Sequence, residues 1–178
     1  MKKTLTKQSK ELLVNSKILE EIDSLIDSIQ FEDRLSSNIF KLINKYIKYD
    51  VSGLFFNESE ESSRNIFNFS FPKNNITIAL SETIRDKFFD KMEKYKRINE
   101  IQCNLIDGNI KEKSKIKYSS FTTKLIIPYE YTEKLTGGLF IGLTRELKPK
   151  EKEYLSIIKK ELDKIFRIKY LFNEQARI

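Results

Sequence analysis

The sequence predicts an α+β domain in which a largely antiparallel sheet is covered by helices from both ends of the chain. Three observations lead to this prediction. Apolar residues recur at helical spacing near both ends, and apolar runs in the middle are short or alternating, as in strands. The composition is 39% hydrophobic with only 5 Gly and 3 Pro, which is too apolar for a disordered chain. Strands adjacent in sequence favour antiparallel pairing, with the helices on one face.

The first predicted element is a helix over about residues 4–30, in which apolar residues repeat at intervals of seven. One heptad position holds Leu5, Leu12, Leu19 and Ile26, and the complementary position holds Ile22 and Ile29. This stripe predicts that the helix pairs with a partner. Packing against the domain's own sheet is the open alternative. A second helix with one apolar side is predicted over 32–48.

The middle of the chain predicts strands around one further helix. The runs 51–56 and 66–71, the second stopping at Pro72, are expected to pair as a hairpin. Residues 76–80 fit either a short strand or the approach to the next helix. Ser81 is expected to cap a helix over 82–97. A strand over 101–106 is expected to end at a turn formed by Asp107 and Gly108.

The last part of the chain predicts two strands and a closing helix. The strands are expected over 120–131 and 137–144, joined by a turn at 132–136. Pro149 fits the first turn of the helix, where its missing N–H costs nothing. Apolar residues then follow at alternating spacings of three and four, through Leu155, Ile158, Leu162, Ile165 and Phe172.

The composition excludes several kinds of chemistry. The chain has no His and one Cys, Cys103, so we expect no histidine-based catalysis and no zinc site built from several Cys. Phosphate-binding glycine motifs do not occur. We therefore expect no catalytic or metal-binding residues in this segment. No apolar run is long enough to cross a bilayer and no signal peptide is evident, so we expect a cytoplasmic location.

The net charge of +7 is concentrated in the later part of the chain. Lysines occupy every second position from Lys111 to Lys117, and in an extended segment they would share one face. Such a face could attract an anion or phosphate. We favour the other interpretation, a solvated connecting loop, because no nucleic-acid-binding motif accompanies the charge. Nucleic acid is therefore not an expected partner.

Three short segments resemble the GAF family of sensor and dimerisation domains, which is related to PAS. They are Tyr-Asp-Val-Ser-Gly-Leu-Phe at 49–55, Leu-Ile-Ile-Pro-Tyr at 125–129 and Gly-Gly-Leu-Phe-Ile-Gly at 137–142. Their order and spacing match the family better than any one motif does. The resemblance implies a GAF-like fold with a signalling and dimerisation helix at 1–30, a sensor core at 31–147 and a connector helix at 148–178.

The resemblance also implies where a ligand and a second copy would bind. A pocket would lie between the middle helix and the sheet face that the other helices leave free, and the ligand and any cofactor stay unknown. The candidate lining residues are Phe69, Phe71, Phe88, Cys103, Phe121 and Thr123. A filled core without a cavity is the alternative. The residues expected to pair the helices of a homodimer are Leu19, Ile22, Ile26, Ile29, Ile158, Ile165 and Phe172.

The segment 170–178 is predicted to be helical and carries no helix stop signal. It resembles the connector that leads into a GGDEF domain, a diguanylate cyclase. The resemblance implies a downstream output that makes cyclic di-GMP, regulated by this domain. A histidine kinase, a phosphodiesterase or a transcription regulator stays open as the output, as does a stand-alone nucleic-acid-binding protein.

Overall fold

The computed structural model describes residues 7–29, 32–57, 65–91, 101–113 and 116–175. Two short 3-10 turns, Leu25–Ser28 and Tyr118–Ser120, accompany four helices and five strands within these ranges. The helices and strands, in chain order, are α1 (Lys7–Ser24), α2 (Glu32–Tyr46), β1 (Val51–Asn57), β2 (Asn65–Ile76), α3 (Ile78–Asp90), β3 (Ile101–Ile110), β4 (Thr123–Tyr131), β5 (Lys134–Leu143) and α4 (Pro149–Gln175).

The five strands form one sheet in the order β3-β2-β1-β5-β4. Strand β1 pairs antiparallel with β2 and with β5, and β4 pairs antiparallel with β5. Strand β3 alone runs parallel to its neighbour, β2, because α3 carries the chain back across the sheet between them. The predicted α+β class, the largely antiparallel sheet and the β1–β2 hairpin are therefore confirmed.

Helices α1, α2 and α4 pack together on one face of the sheet, as predicted for the N- and C-terminal helices. We call their shared interior the helix-side core. It consists mainly of Ile and Leu from the helices and from alternate residues of β1, β4 and β5. Along α1 and the 3-10 turn that follows it, the buried stripe has spacings of four, three and four, and it comprises Ile18, Ile22, Leu25 and Ile29.

The opposite face is covered by α3 and forms what we call the α3-side core. Phenylalanine dominates this core, and Phe88 of α3 packs against Phe55 of β1, Phe67 of β2 and the β5 backbone at Gly138. The rings of Phe67 and Phe69 stack with their centroids 4.7 Å apart, and Phe88 lies edge-on to Phe67 at 5.3 Å. Such aromatic contacts are worth about 0.5–1.5 kcal/mol each beyond the burial of area.

Two adjacent glycines of β5 make room for one ring on each face. A Cβ at Gly137 would collide with the Phe166 ring of α4 and lie 2.6 Å from the carbonyl oxygen of Phe55. A Cβ at Gly138 would collide with the Phe88 ring. The Gly-Gly pair is thus explained by close packing on both sides of the strand.

Several predicted boundaries are wrong, and three strand boundaries have local explanations. Strand β2 continues past Pro72, because Pro72 lies beyond the last residue paired with β1 and inside a register shift opposite β3. Its missing N–H therefore breaks no ladder hydrogen bond. Strand β3 continues through Asp107 and Gly108 to Ile110. Gly108 has φ +114 and an added Cβ would lie 2.6 Å from the Phe71 carbonyl oxygen, so it serves an irregular strand, not a turn. Strand β4 begins at Thr123, after the 3-10 turn.

A charged cluster fixes the start of α4. Arg145 donates from Nη1 and Nη2 to the two carboxylate oxygens of Glu151, at 2.7 and 2.8 Å. The backbone N–H of Lys148 donates to Glu151 at 2.9 Å, and Arg145 also donates to the carbonyl of Lys48 after α2. Glu151 is therefore a cap of α4 that also ties it to the end of α2.

Candidate functional site

A cavity of about 330 Å³ lies between the first half of α3 and strand β3, on the sheet face opposite α1, α2 and α4. We call it the α3–β3 cavity. Its apolar lining comprises Phe69, Ile76, Ile78, Ile101, Leu105 and Ile110, and its polar lining comprises Thr77, Ser81, Glu82, Arg85, Cys103 and Asn104. A volume at the lower end of the range for small-molecule sites, with mixed lining, suits a compact ligand.

The start of α3 builds one wall of this cavity. Thr77 has extended backbone angles and its Oγ1 accepts a hydrogen bond from the N–H of Leu80 at 3.0 Å, so Thr77 is the N-cap. The predicted cap, Ser81, is wrong: it lies inside the helix and donates to the carbonyl of Ile78 at 2.7 Å. The additional helical turn places Ile78, Ser81 and Glu82 along the cavity.

Strand β3 builds the opposite wall. Because successive residues of a strand point to opposite faces, Cys103 and Leu105 join the α3-side core while Asn104 directs its side chain to the helix side. Asn104 donates to Asn68 Oδ1 of β2 at 3.3 Å, and Asn68 Nδ2 donates to Ser36 Oγ of α2 at 2.9 Å. A chain of hydrogen bonds therefore runs from the cavity strand to the helix layer.

The charged side chains at the cavity all come from α3. Arg85 donates from Nε to Asp86 Oδ1 at 3.1 Å and pairs with the same oxygen through Nη2. A guanidinium has five N–H donors, so Asp86 does not exhaust it. Glu82 lies one turn before Arg85 and is exposed. The cavity thus combines one partly engaged cation with one carboxylate at its rim.

Cys103 lies inside the cavity as a half-buried thiol. Burial raises its pKa, while the neighbouring Arg85 guanidinium acts in the opposite direction without reversing the shift. No basic residue adjoins Cys103 in sequence, so this neighbour is supplied by the fold alone. The thiol is therefore protonated at neutral pH.

The six predicted pocket residues are divided by the structure. Phe69 and Cys103 line the cavity. Phe71, Phe88 and Phe121 instead fill the α3-side core, where at most 3% of each residue is exposed. Thr123 lies at the start of β4 and donates to the carbonyl of Arg145 at 2.7 Å. The placement of these four residues agrees with the alternative considered from the sequence, in which they have a structural role.

Sequence reasoning missed several cavity residues, among them Arg85, Glu82 and Leu105. A usable signal was present, because Ile78, Glu82 and Arg85 follow one another at spacings of four and three on one helix face. The misplaced helix start at Ser81 concealed it. The β3 residues would have required knowledge that β3 pairs parallel with β2, which no local pattern gives.

The seven residues expected to pair two copies lie in two environments. Ile22, Ile29, Ile158 and Ile165 are buried in the helix-side core, so for them packing within the domain explains the apolar pattern. The other three are partly exposed, Leu19 by 40%, Ile26 by 42% and Phe172 by 37%. Pairing through this second group stays a prediction.

The remaining features of the sequence have plain outcomes. Lys111, Lys113 and Lys117 are exposed in the connection after β3, and Lys115 lies outside the described residues, as do the last three residues of the tail. Within the described part of the chain, no group of three or more His, Cys, Asp or Glu is arranged to hold a metal ion. None of the described helices has the length and apolar content needed to span a membrane.

The chain is similar to known proteins in structure and not in sequence. No protein-family model matches the sequence, and no curated protein matches it. Among solved structures, the chain is similar to the GAF domain of an Acinetobacter phosphoenolpyruvate-protein phosphotransferase, with 13% sequence identity and a TM-score of 0.46. The alignment covers 92% of this chain and 95% of that one. The similarity is therefore distant.

Proposed function

We propose that this domain is a sensory module that binds a small molecule in the α3–β3 cavity. The observation that carries the proposal is the cavity, where apolar side chains from two strands and polar side chains from one helix converge. Concave sites of this kind are the usual binding sites for small molecules. Interlocking rings fill the part of the α3-side core around Phe67 and Phe88, whereas its β3 edge is left open.

A binding event at β3 has a direct route to the helix layer. Asn104 is adjacent to Cys103 in the cavity wall, and its side chain begins the hydrogen-bonded chain through Asn68 to Ser36 of α2. Both Asn68 and Ser36 are fully buried. Because a buried amide that loses its partners costs about 1–3 kcal/mol, a shift of β3 favours a matching shift of α2.

The proposed output is carried by α1 and α4. These two helices pack on each other, and α2 packs on both. We propose that they pair with the same helices of a second copy in the cytoplasm and control a downstream GGDEF domain that makes cyclic di-GMP. The resemblance of the tail to GGDEF connectors supports this output. A histidine kinase, a phosphodiesterase or a transcription regulator would use the same helices.

The first test is a nuclear magnetic resonance screen of the whole chain against a small-fragment set containing neutral, cationic and anionic compounds. We expect at least one fragment to shift amide resonances of Cys103, Leu105 and Arg85 in a saturable way. Ser81→Trp should fill the cavity and weaken that fragment by about tenfold or more, since the side chain removes the space. Asp90→Trp, at the exposed end of the same helix, is the control and should bind as before. A complete screen with no response at these residues would refute the proposal.

A further inference from the structure

The lining of the α3–β3 cavity points to a particular class of ligand. Resting on the proposed function, we infer that the ligand is a small monocarboxylate with an apolar body, whose carboxylate binds the Arg85 guanidinium. The apolar body would lie against Ile76 and Leu105. Three properties of the cavity lead to this inference: its size, its exposed apolar rim and its charge.

The size sets an upper limit on the ligand. A volume of about 330 Å³ is close to the minimum for a small-molecule site. A ligand much larger than a single substituted ring would have to extend into solvent.

The rim of the cavity exposes apolar surface that a ligand would cover. Ile78 at the start of α3 is 62% exposed, and Ile110 at the end of β3 is 58% exposed. Both line the cavity, on opposite walls. Because burying apolar surface favours binding, an apolar body between these two side chains is preferred over a fully polar ligand.

The charge of the lining selects the head group. Among the lining residues that the structure describes, Arg85 is the only cation and Glu82 the only carboxylate. Arg85 is held in place by Asp86, which lies outside the lining, and its planar fork matches a carboxylate in a two-point contact. The thiol of Cys103 is neutral and adds no repulsion.

The same charges argue against other classes of ligand. A polyphosphate would bring several negative charges to a site with one cation and one acidic side chain, so most of its charge would be uncompensated. An alkylammonium could pair with the exposed Glu82, but the guanidinium of Arg85, one helical turn away, would repel it. One carboxylate is the charge that this lining can accommodate.

The test uses three probes with one skeleton, namely phenylpropanoate, phenylpropanamide and phenylpropylamine. Affinities for the whole chain are measured by calorimetry at neutral pH, and the site is located by resonance shifts at Cys103 and Leu105. We expect the carboxylate to bind about tenfold or more tightly than the amide, because charge-assisted hydrogen bonds are about twice as strong as neutral ones. The amine should bind most weakly.

Arg85 variants test the head group directly. Arg85→Gln should remove the preference for the carboxylate over the amide, and Arg85→Lys should keep part of it, because lysine keeps the charge but not the fork. Arg167→Gln removes the same charge from the exposed face of α4 and should leave the preference unchanged. Resonance spectra of each variant establish that it is folded.

The outcomes separate this inference from the function on which it rests. If amide and carboxylate bind equally well in the cavity, or the amine binds best, the cavity is a ligand site but the monocarboxylate inference is overturned. If none of the three probes binds while a fragment from the broader screen does, the inference is likewise overturned and the sensory function stands. If no compound of any charge reaches the cavity, both fail.

Discussion

The two faces of the sheet are packed in different ways. On the helix side, three helices cover the strands with an Ile- and Leu-rich core, and two hydrogen bonds join buried polar side chains there, Tyr49 with Ser70 and Asn68 with Ser36. On the other side, α3 is the one α-helix among the described residues, the 3-10 turn Tyr118–Ser120 packs beside it, and the core is a cluster of phenylalanine rings. The α3–β3 cavity lies at the edge of this second core, next to β3.

The difference follows from how much of the sheet each layer can cover. A helix is about 10–12 Å across, and neighbouring strands are about 4.7–4.9 Å apart, so one helix covers little more than two strands. Helix α3 places Phe88 over the centre of the sheet, above Gly138 of β5, and its start faces the β3 edge. Ligand binding is thus expected at the β3 edge, where helices cover little of the sheet. The larger contribution to folding stability is expected on the face that α1, α2 and α4 cover.

The largest effects are expected from removing one ring on each face. Phe166→Ala, on the helix side, removes the stacked contact with Tyr129 and the contact with Phe56. Phe88→Ala removes the corresponding ring from the α3 side. We expect each to lower the free energy of unfolding by about 3–5 kcal/mol, with Phe166→Ala the more costly because α3 alone can shift to fill a space. Urea denaturation measures the free energy of unfolding of both variants, with Leu12→Ala at an exposed position as control. A larger loss for Phe88→Ala than for Phe166→Ala would contradict the proposed difference between the two faces.

The next effect concerns the polar connection between the two faces. Asn68→Ala leaves Ser36 and Asn104 without this partner, and we expect it to lower the free energy of unfolding by about 1–3 kcal/mol. Ligand-induced resonance shifts should persist at Cys103 but decrease in α2. Thr136→Ala is the matched control, because it removes a buried hydrogen bond to the carbonyl of Tyr129, away from the route. Equal loss of the ligand-induced resonance shifts in α2 in both variants would show that the hydrogen bonds of Asn68 do not specifically connect the cavity with α2.

A smaller effect is expected at the start of α4. The hydrogen bonds from Arg145 hold the pKa of Glu151 below its ordinary value, although burial opposes them. The resulting stability is present above the ordinary pKa of glutamate and is lost as the pH falls through the lowered pKa. Glu151→Gln should cost about 1–2 kcal/mol near neutral pH and should flatten this part of the acid dependence. Urea titrations at several acidic pH values measure it, and unchanged pH dependence in the variant would contradict this role for Glu151.

The sequence was sufficient for those parts of the fold that local patterns determine. An extended apolar run located β1 and a period-two run located β2. The three-four spacing of Ile158, Leu162 and Ile165 located the buried face of α4. The heptad pattern of α1 was ambiguous because a helix stripe does not tell whether its partner is the same chain or another. Ile22 and Ile29 turned out to face the chain's own core.

The candidate site was predicted only in part, since it depends on long-range geometry. Its general position, between the middle helix and the free sheet face, agrees with the prediction. Phe71 and Phe88 were chosen as lining because they are aromatic and lie on the correct elements, yet they fill the centre of the core. Arg85 reaches the cavity only because α3 begins at Ile78 and β3 pairs with β2.

The smallest effect on folding, and the sharpest test of pairing, is expected on the outer face of the helix layer. Leu12, Leu19 and Ile26 share one heptad position of the α1 segment and are exposed by 69%, 40% and 42%. Replacing them by Glu should change the free energy of unfolding of one copy by about 0.5 kcal/mol or less per site, since surface positions tolerate substitution. If these side chains pair two copies, the triple variant should be monomeric at concentrations where the unmodified chain is dimeric, as measured by analytical ultracentrifugation.

Ile165→Lys cannot serve this purpose, because a charge placed at a position exposed by only 2% would unfold the domain itself. Gln substitution of the exposed Lys152, Lys159 and Lys160 on α4 changes the net charge by the same amount without removing apolar surface. A triple variant that dimerises as well as this control would show that the heptad stripe of α1 is not the pairing surface.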